Sequence, residues 1–180
     1  MKGMVFTEFL DFVGQQFGEE VVDDMITASQ VPNGGAYTAV GTYSHGEMVA
    51  LCEALAERTA TPVPDLVRAF GDNLSNTFAR EFPDFFRRAG NLFDFLESIE
   101  EHIHVEVRKL YPDAELPTFA TELRTPSRLV IVYRSPRKMG HLSEGLIIGS
   151  ARQFAVEVRV TSEQLDAGDG LAVRFTIELV

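Results

Sequence analysis

The N-terminal part of the chain carries apolar residues at helical spacing. The run from Val5 to Phe17 repeats every three or four residues, which predicts an amphipathic helix that Gly18 ends. A weakly periodic segment from Ala36 to Tyr43 is predicted to be a loop. Further helices are predicted over Glu19–Ser29, from the Ser44/Glu47 capping box to Glu57, from Pro64 to Phe82 and from Leu92 to Leu110.

After Pro117 the period changes from helical spacing to alternation. Strands are predicted over Phe119–Arg124 and Arg128–Arg134, followed by a helix from about His141 to Phe154. Alternation resumes at Val156, Val158 and Val160 and again from Leu171 to Leu179, with a hairpin turn over Asp166–Gly170 between them. Helices first and a mainly antiparallel sheet last predict an α+β fold, in a single domain covering residues 1–180.

The composition excludes several classes of protein. Lys and Arg total 16 against 27 Asp and Glu, and the formal charge of -11 argues against binding nucleic acid or an anionic membrane. The one cysteine, Cys52, allows neither an internal disulfide nor a multi-thiolate metal site, so a cytoplasmic location is expected. The apolar stretch Leu129–Tyr133 is too short to span a bilayer, and Glu8 and Asp11 are out of place in a secretory leader.

Phenylalanine dominates the aromatic residues, with 14 Phe, four Tyr and no Trp. Because a phenyl ring fills space without needing a hydrogen-bond partner, this excess predicts a largely apolar interior. Cys52 lies on the apolar side of its predicted helix and is expected to be a small core residue.

Two of the four histidines are candidates for chemistry. His45 and His141 lie near helix starts and are expected at the surface. His102 and His104 flank the apolar stripe of the helix over Leu92–Leu110, each about 90–115° from its centre at about 100° per residue. Two residues apart on a helix, they cannot share one ligand. At most one of them faces the interior, and periodicity does not decide which.

Two possible metal sites have little support. Glu101 and Glu106 stand beside the histidines, but no further ligands converge on them. Asp166–Gly170 resembles a fragment of a calcium loop without its later acidic ligands, which favours the hairpin turn.

Tyr133, Ser135 and Arg137 form the second candidate group. On a strand Tyr133 and Ser135 share one face, and Arg137 follows in the exit turn. Phenol, hydroxyl and guanidinium together suit an anion such as a carboxylate or a phosphate. On spacing alone, a turn stabilised by Ser135 and Pro136 with a solvated arginine is equally consistent.

These features in combination resemble the haem–nitric oxide/oxygen-binding (H-NOX) family, in its stand-alone bacterial type related to the haem domain of soluble guanylate cyclase. The resemblance covers essentially the whole chain. It rests on His104 with Pro117 in His-Val-Glu-Val-Arg-Lys-Leu-Tyr-Pro-Asp-Ala-Glu-Leu-Pro, on the Tyr-x-Ser-x-Arg set at 133–137, on the opening Met-Lys-Gly and on Ser143–Ile147.

The resemblance implies haem b, held between the helical part and the sheet. His104 is then the proximal iron ligand, and His102 is its solvent-side neighbour. Tyr133, Ser135 and Arg137 match the set that binds the haem propionates, and Pro117 matches the proline that distorts the porphyrin.

The resemblance also bears on the choice of gas. Oxygen-binding members carry a distal tyrosine where this chain has Leu142. The other distal neighbours also lack a hydrogen-bond donor, and they are Val5, Phe9, Leu74, Phe78 and Leu146. Loss of a hydrogen bond worth roughly 1–3 kcal/mol lowers oxygen affinity by about one to two decades. The expectation is a sensor that binds nitric oxide, and CO weakly, and excludes O2.

The resemblance implies signalling in trans and no catalysis. Nitric oxide weakens the iron–His104 bond, the helix of His104 and the contact at Pro117 relax, and a separate histidine kinase or cyclic-di-GMP enzyme responds. Three alternatives remain at this point: an O2 sensor, a haem enzyme, and a haem-free interaction module that uses the acidic surface. A haem enzyme needs distal acid–base groups, which the implied pocket lacks.

Overall fold

A computed structural model describes residues 1–165 and 171–180. The chain divides into two compact units, residues 1–70 and residues 71–180, and each is described by itself. The helices are α1 Gly3–Phe17, α2 Glu19–Ser29, α3 His45–Thr59, α4 Val63–Glu81, α5 Pro83–Arg88, α6 Leu92–Ser98, α7 His104–Leu110 and α8 Gly140–Gln153. The strands are β1 Thr118–Arg124, β2 Arg128–Arg134, β3 Val158–Gln164 and β4 Ala172–Leu179. The hairpin turn expected at Asp166–Gly170 lies outside the described residues.

The first unit is helical, as the sequence predicts. Gly18 ends α1 with a φ of 95°, in the region that favours glycine. Ser44 and Glu47 form the predicted capping box: the Ser44 hydroxyl accepts from the first turn of α3, and Glu47 accepts from the Ser44 N–H. The segment from Ala36 to Tyr43 is a loop, also as predicted.

Aromatic rings fill the first unit. Phe6 and Phe9 are completely buried, and Phe6 stacks on Tyr37 with ring centroids 4.4 Å apart. Phe9 meets Phe70 edge to face at 5.0 Å, an arrangement that aromatic pairs favour. Cys52 is buried, in agreement with its predicted role as a small core residue.

The second unit contains a four-stranded antiparallel sheet in the order β1-β2-β4-β3. Strand β2 is central, and its five residues Leu129–Tyr133 are all buried. Strand β1 is at one edge and is mostly exposed, with a bulge between Thr121 and Leu123. Helices together with this sheet confirm the predicted α+β class.

One apolar core unites the sheet and the helices of the second unit. It joins α6, α8, β2 and β4 through the buried residues Leu92, Phe93, Phe95, Leu96, Leu129, Ile131, Tyr133, Ile147, Ala151, Val173, Phe175 and Ile177. Tyr133, the last buried residue of β2, belongs both to this core and to the second candidate group of the sequence. The short helix α5 begins at Pro83, where the sequence had predicted only a helix end.

Helices α4 and α8 approach each other closely within the second unit. A Cβ added at Gly71 would lie 2.3 Å from the Leu142 carbonyl oxygen. A Cβ added at Gly149 would lie 2.0 Å from Ser75 Oγ and 2.6 Å from the Asp72 carbonyl oxygen. The two helices therefore touch through their backbones at both glycines. Among the described residues, no helix has the length and apolar character needed to cross a bilayer.

Candidate functional site

The structure distinguishes the two candidate histidines. His104 is the first residue of α7 and is 8% exposed, whereas His102, two residues earlier, is exposed. His45 is exposed, as expected. The inward-facing histidine, which the sequence left undecided, is therefore His104.

A π-helical turn over Ile99–Ile103 explains this burial and corrects the prediction of one regular helix over Leu92–Leu110. A π turn holds one extra residue, which turns everything after it by about 100° relative to a straight α-helix. The apolar stripe therefore does not continue along α7, and Leu110 is 70% exposed. His104 takes the inward position instead, directly after the π turn.

Within the part of the chain that the structure describes, the hydrogen bond of the His104 ring is made by Nδ1. Its Nδ1 lies 3.2 Å from Glu100 Oε2. Because a carboxylate accepts hydrogen bonds, we assign the imidazole proton to Nδ1, which leaves the lone pair on Nε2. Burial lowers the pKa of His104 below 6.5, and the Glu100 carboxylate opposes this effect without reversing it. At neutral pH the side chain is a neutral imidazole, the form that ligates iron.

Phe119 connects His104 to the second candidate group. Its ring centroid lies 6.0 Å from that of His104 and 5.6 Å from that of Tyr133. Phe119 is paired with Tyr133 across β1 and β2. The imidazole and the phenol therefore belong to one continuous site.

The donor groups predicted around Tyr133 come together. Tyr133 and Ser135 are buried, and the phenol forms side-chain hydrogen bonds with Ser135 and Ser143 and accepts one from the Met139 N–H at 3.2 Å. Burial raises the pKa of Tyr133, although these hydrogen bonds and the Arg137 charge act in the opposite direction. The phenol therefore keeps its proton and stays a neutral donor.

Arg137 has two hydrogen bonds to a single residue. Its guanidinium donates to the Glu115 carbonyl oxygen and to Glu115 Oε2, both at 2.9 Å. The backbone N–H of Arg137 donates to Ser135 Oγ at 3.2 Å, which places Arg137 beside the donor group around Tyr133. A guanidinium carries five N–H donors, and the two bonds to Glu115 use two of them. Pro117 follows Glu115 by two residues and is half-buried.

Each of the two units contains some of the apolar residues that the sequence analysis expects around a bound gas. Leu142 and Leu146 lie on α8 beside Gly71, with Leu74 and Phe78 farther along α4. Leu74 is fully buried, and the other three are partly buried. In the first unit, Val5 and Phe9 lie on α1, and Phe9 packs against Phe12 and Phe70.

The residues present fit a haem. The second unit supplies a buried neutral imidazole with an available nitrogen, and near it two hydroxyl groups and a guanidinium that suit carboxylates. The shielded surroundings make such donors necessary, since burying propionates without partners is costly. Glu101 and Glu106 do not contribute: both are exposed, and Glu106 pairs with Lys109 at 2.6 Å. Among the described residues, no cluster of three or more His, Cys, Asp and Glu side chains could hold a metal ion.

The sequence analysis singled out neither Glu100 nor Glu115, and it gave Ser143 only as part of a motif without a contact to Tyr133. Glu100 binds His104, Glu115 binds Arg137, and Ser143 binds Tyr133. For Glu100 a signal was available, because residues four apart on a helix are neighbours. Glu115 and Ser143 are distant in sequence from their partners in the Tyr133 and Arg137 group, and no periodicity indicated these contacts.

Comparison with known proteins agrees with this geometry. Residues 2–162 match the family model described as "Haem-NO-binding", whereas no curated protein matches the chain. The crystal structure of the Fe(II) unliganded H-NOX protein from K. algicida is 39% identical, with a TM-score of 0.95 over 100% of this chain and 97% of that one. An H-NOX protein from S. oneidensis in the Fe(II)NO state is 27% identical, with a TM-score of 0.91 over 100% and 99%. A Shewanella oneidensis H-NOX domain in the Fe(II)CO state is 27% identical, with a TM-score of 0.87 over 100% and 99%. The chain therefore belongs to the haem-NO-binding (H-NOX) family of haem-binding gas sensors.

Proposed function

We propose that this chain is a sensor of nitric oxide that uses haem b and signals to a separate protein. In this proposal the haem iron is bound by Nε2 of His104, and the haem propionates are bound by Tyr133, Ser135 and Arg137. The observation that carries the proposal is the buried His104, linked through the Phe119 ring to those donors.

The chain's own residues have distinct tasks in this proposal. His104 would hold the haem iron, and Pro117 would contact the porphyrin. Arg137 neutralises propionate charge, while Tyr133 and Ser135 donate hydrogen bonds. When bound, the ferrous haem supplies an open iron position that takes a diatomic gas.

Selectivity for nitric oxide over oxygen follows from the side chains on the distal side. Leu142, Leu146, Leu74 and Phe78 end in hydrocarbon groups and cannot donate a hydrogen bond. Bound oxygen needs such a donor to offset its partial negative charge, whereas nitric oxide and CO do not. The nitric oxide and CO states of the S. oneidensis relatives support a site of this type.

Signal output is proposed to begin at His104. His104 would hold the haem iron, gas binding there would loosen that hold, and α7 with the π turn would then move relative to β1. The bond from the Phe119 N–H to Glu100, 3.3 Å long, joins the π turn to β1 and would change with that movement. The receiving protein is proposed to be a histidine kinase or a cyclic-di-GMP enzyme, with the sensor itself not acting as a catalyst.

The test is an absorption spectrum of the reduced protein, recorded alone, in air and with nitric oxide. Five-coordinate ferrous haem, no oxy form in air and a nitrosyl spectrum with nitric oxide are expected. A stable oxy form would contradict the selectivity, and steady consumption of nitric oxide would indicate a haem enzyme.

Two variants test the choice of ligand. His104→Gly should lose haem unless imidazole is supplied, whereas His102→Ala should keep it, because His102 is exposed. If these two results are exchanged, His104 is not the ligand.

A further inference from the structure

Glu100 lies inside the π turn and faces His104. Its side chain is 30% exposed, compared with 10% for that of His104, so their contact is partly shielded from water. The next glutamate, Glu101, belongs to the same turn and is exposed. Of these two neighbouring carboxylates, therefore, Glu100 is the one that reaches the imidazole.

Three groups fix the Glu100 carboxylate. Its Oε2 accepts from His104 Nδ1 at 3.2 Å and from the Phe119 N–H at 3.3 Å, while Arg108 donates to Oε1 at 3.4 Å. The backbone donor at Phe119 belongs to β1, which is part of the sheet. Glu100 is thus anchored on a strand while it binds the imidazole, and the orientation of the His104 ring is set from outside its own helix.

A carboxylate on the far nitrogen of a metal-binding histidine has known physical effects. It fixes the tautomer and ring orientation, and its negative charge makes the other nitrogen a stronger donor to the metal. Replacing a partner of this kind typically costs 10- to 100-fold in metal affinity or activity.

We propose that Glu100 is the positioning residue that sets the strength of the iron–His104 bond, and with it how readily nitric oxide releases His104. This inference rests on the proposed function, in which His104 is the ligand. The negative charge of Glu100 strengthens the bond and favours ferric over ferrous iron. Glu100 acts through His104 and does not touch the iron itself.

The experiment compares the haem-loaded full chain with its Glu100→Gln and Glu101→Gln variants. Both substitutions remove one negative charge from the same turn, but only the first removes a carboxylate that binds His104. Glutamine keeps a carbonyl oxygen that can accept from the Phe119 N–H. The readouts are the iron–histidine stretching frequency of the ferrous protein and its reduction potential.

In Glu100→Gln the stretching frequency should fall, and the preference for ferric iron should weaken about tenfold, which corresponds to a rise in potential of about 59 mV for one electron. Glu101→Gln should match the wild type in both measurements. If the two variants behave alike while the wild type shows histidine-ligated ferrous haem, the inference fails and the proposed function stands. If the wild type shows no histidine ligation, the proposed function fails as well.

A second variant covers the case in which Glu100→Gln does not retain haem. Glu100→Asp keeps the charge but withdraws the carboxylate from Nδ1 by one methylene group. A potential above that of Glu101→Gln supports the contact with His104, and a potential equal to it refutes the inference.

Discussion

Replacing Gly149 with alanine should destabilise the second unit by about 1–3 kcal/mol, the usual cost of overpacking a close contact. The added Cβ would lie 2.0 Å from Ser75 Oγ, 2.8 Å from Ser75 Cβ and 2.6 Å from the Asp72 carbonyl oxygen. Carbon atoms in favourable contact are about 3.5–4.0 Å apart, so the overlap is large. The Ser75 hydroxyl can rotate, but the other two atoms move only if α4 and α8 separate.

The upper part of that range is expected because Ser75 also loses a hydrogen bond when it rotates. Its hydroxyl donates to the Asp72 carbonyl oxygen at 2.8 Å, an interaction worth about 1 kcal/mol. The ion pair between Asp72 and Arg152 also joins α4 to α8, so separation of the helices would weaken it. For a chain of this size, each kcal/mol lowers the melting temperature by about 2–4 °C.

The assay is urea unfolding of the wild type, of Gly149→Ala, of Ser75→Ala and of the double variant. The double variant should recover part of the lost stability, because Ser75→Ala removes the closest contact and leaves the Asp72 carbonyl oxygen in place. Gly46→Ala is the matched control, since its added Cβ would meet only Ser44 Oγ at 3.4 Å. The reasoning is refuted if Gly149→Ala unfolds like Gly46→Ala, or if Ser75→Ala recovers none of the loss.

Three further predictions concern single side chains. Leu142→Tyr should raise oxygen affinity by about 10- to 100-fold, seen as an oxy spectrum in air, because the phenol supplies the missing hydrogen-bond donor. Leu142→Phe is the control, and an oxy form in both variants would contradict a role for the phenol hydroxyl. Burial raises the pKa of Cys52 to about 12, so a thiol reagent at pH 8 should modify the folded protein about 1,000-fold more slowly than an ordinary cysteine. Fast modification before the chain unfolds would show that the thiol is accessible and would contradict its burial. Burial holds the pKa of His104 below its unfolded value of 6.5, so in the haem-free protein the unfolded chain binds a proton that the folded chain does not. The stability from this group is complete above pH 6.5 and is lost as pH falls through the folded pKa. In urea unfolding, the free energy of unfolding of the wild type should therefore fall more steeply with decreasing pH below pH 6.5 than that of His104→Gln.

Most of the secondary structure could be predicted, because it depends on local patterns. The end of α1 and the start of α2 follow from Gly18 and from the polar residues around it, and β2 from its run of apolar residues. Besides the short helix α5, the exception was the helix over Leu92–Leu110. A π turn has no simple pattern of its own, so the extra residue that rotates His104 inward could not be found by assuming 3.6 residues per turn.

The sequence singled out the main residues proposed for the site but not the side chains that bind them. The positions of His104, Tyr133, Ser135 and Arg137 followed from a resemblance, whereas spacing alone left each with an ordinary alternative. Glu115 was missed because it lies before β1, whereas Arg137 lies after β2. A contact between two such segments depends on tertiary structure, which a local pattern does not show.

The order β1-β2-β4-β3 leaves two open sides on the sheet, and both are poorly suited to joining another molecule edge to edge. On β1 the bulge between Thr121 and Leu123 interrupts the regular ladder of backbone groups that a foreign strand would need. Both edge strands also carry charged side chains: Glu122 on β1 and Glu163 on β3 each form an ion pair with Arg174 on β4. The architecture thus protects a sheet with a strongly apolar middle strand against fibre-like association.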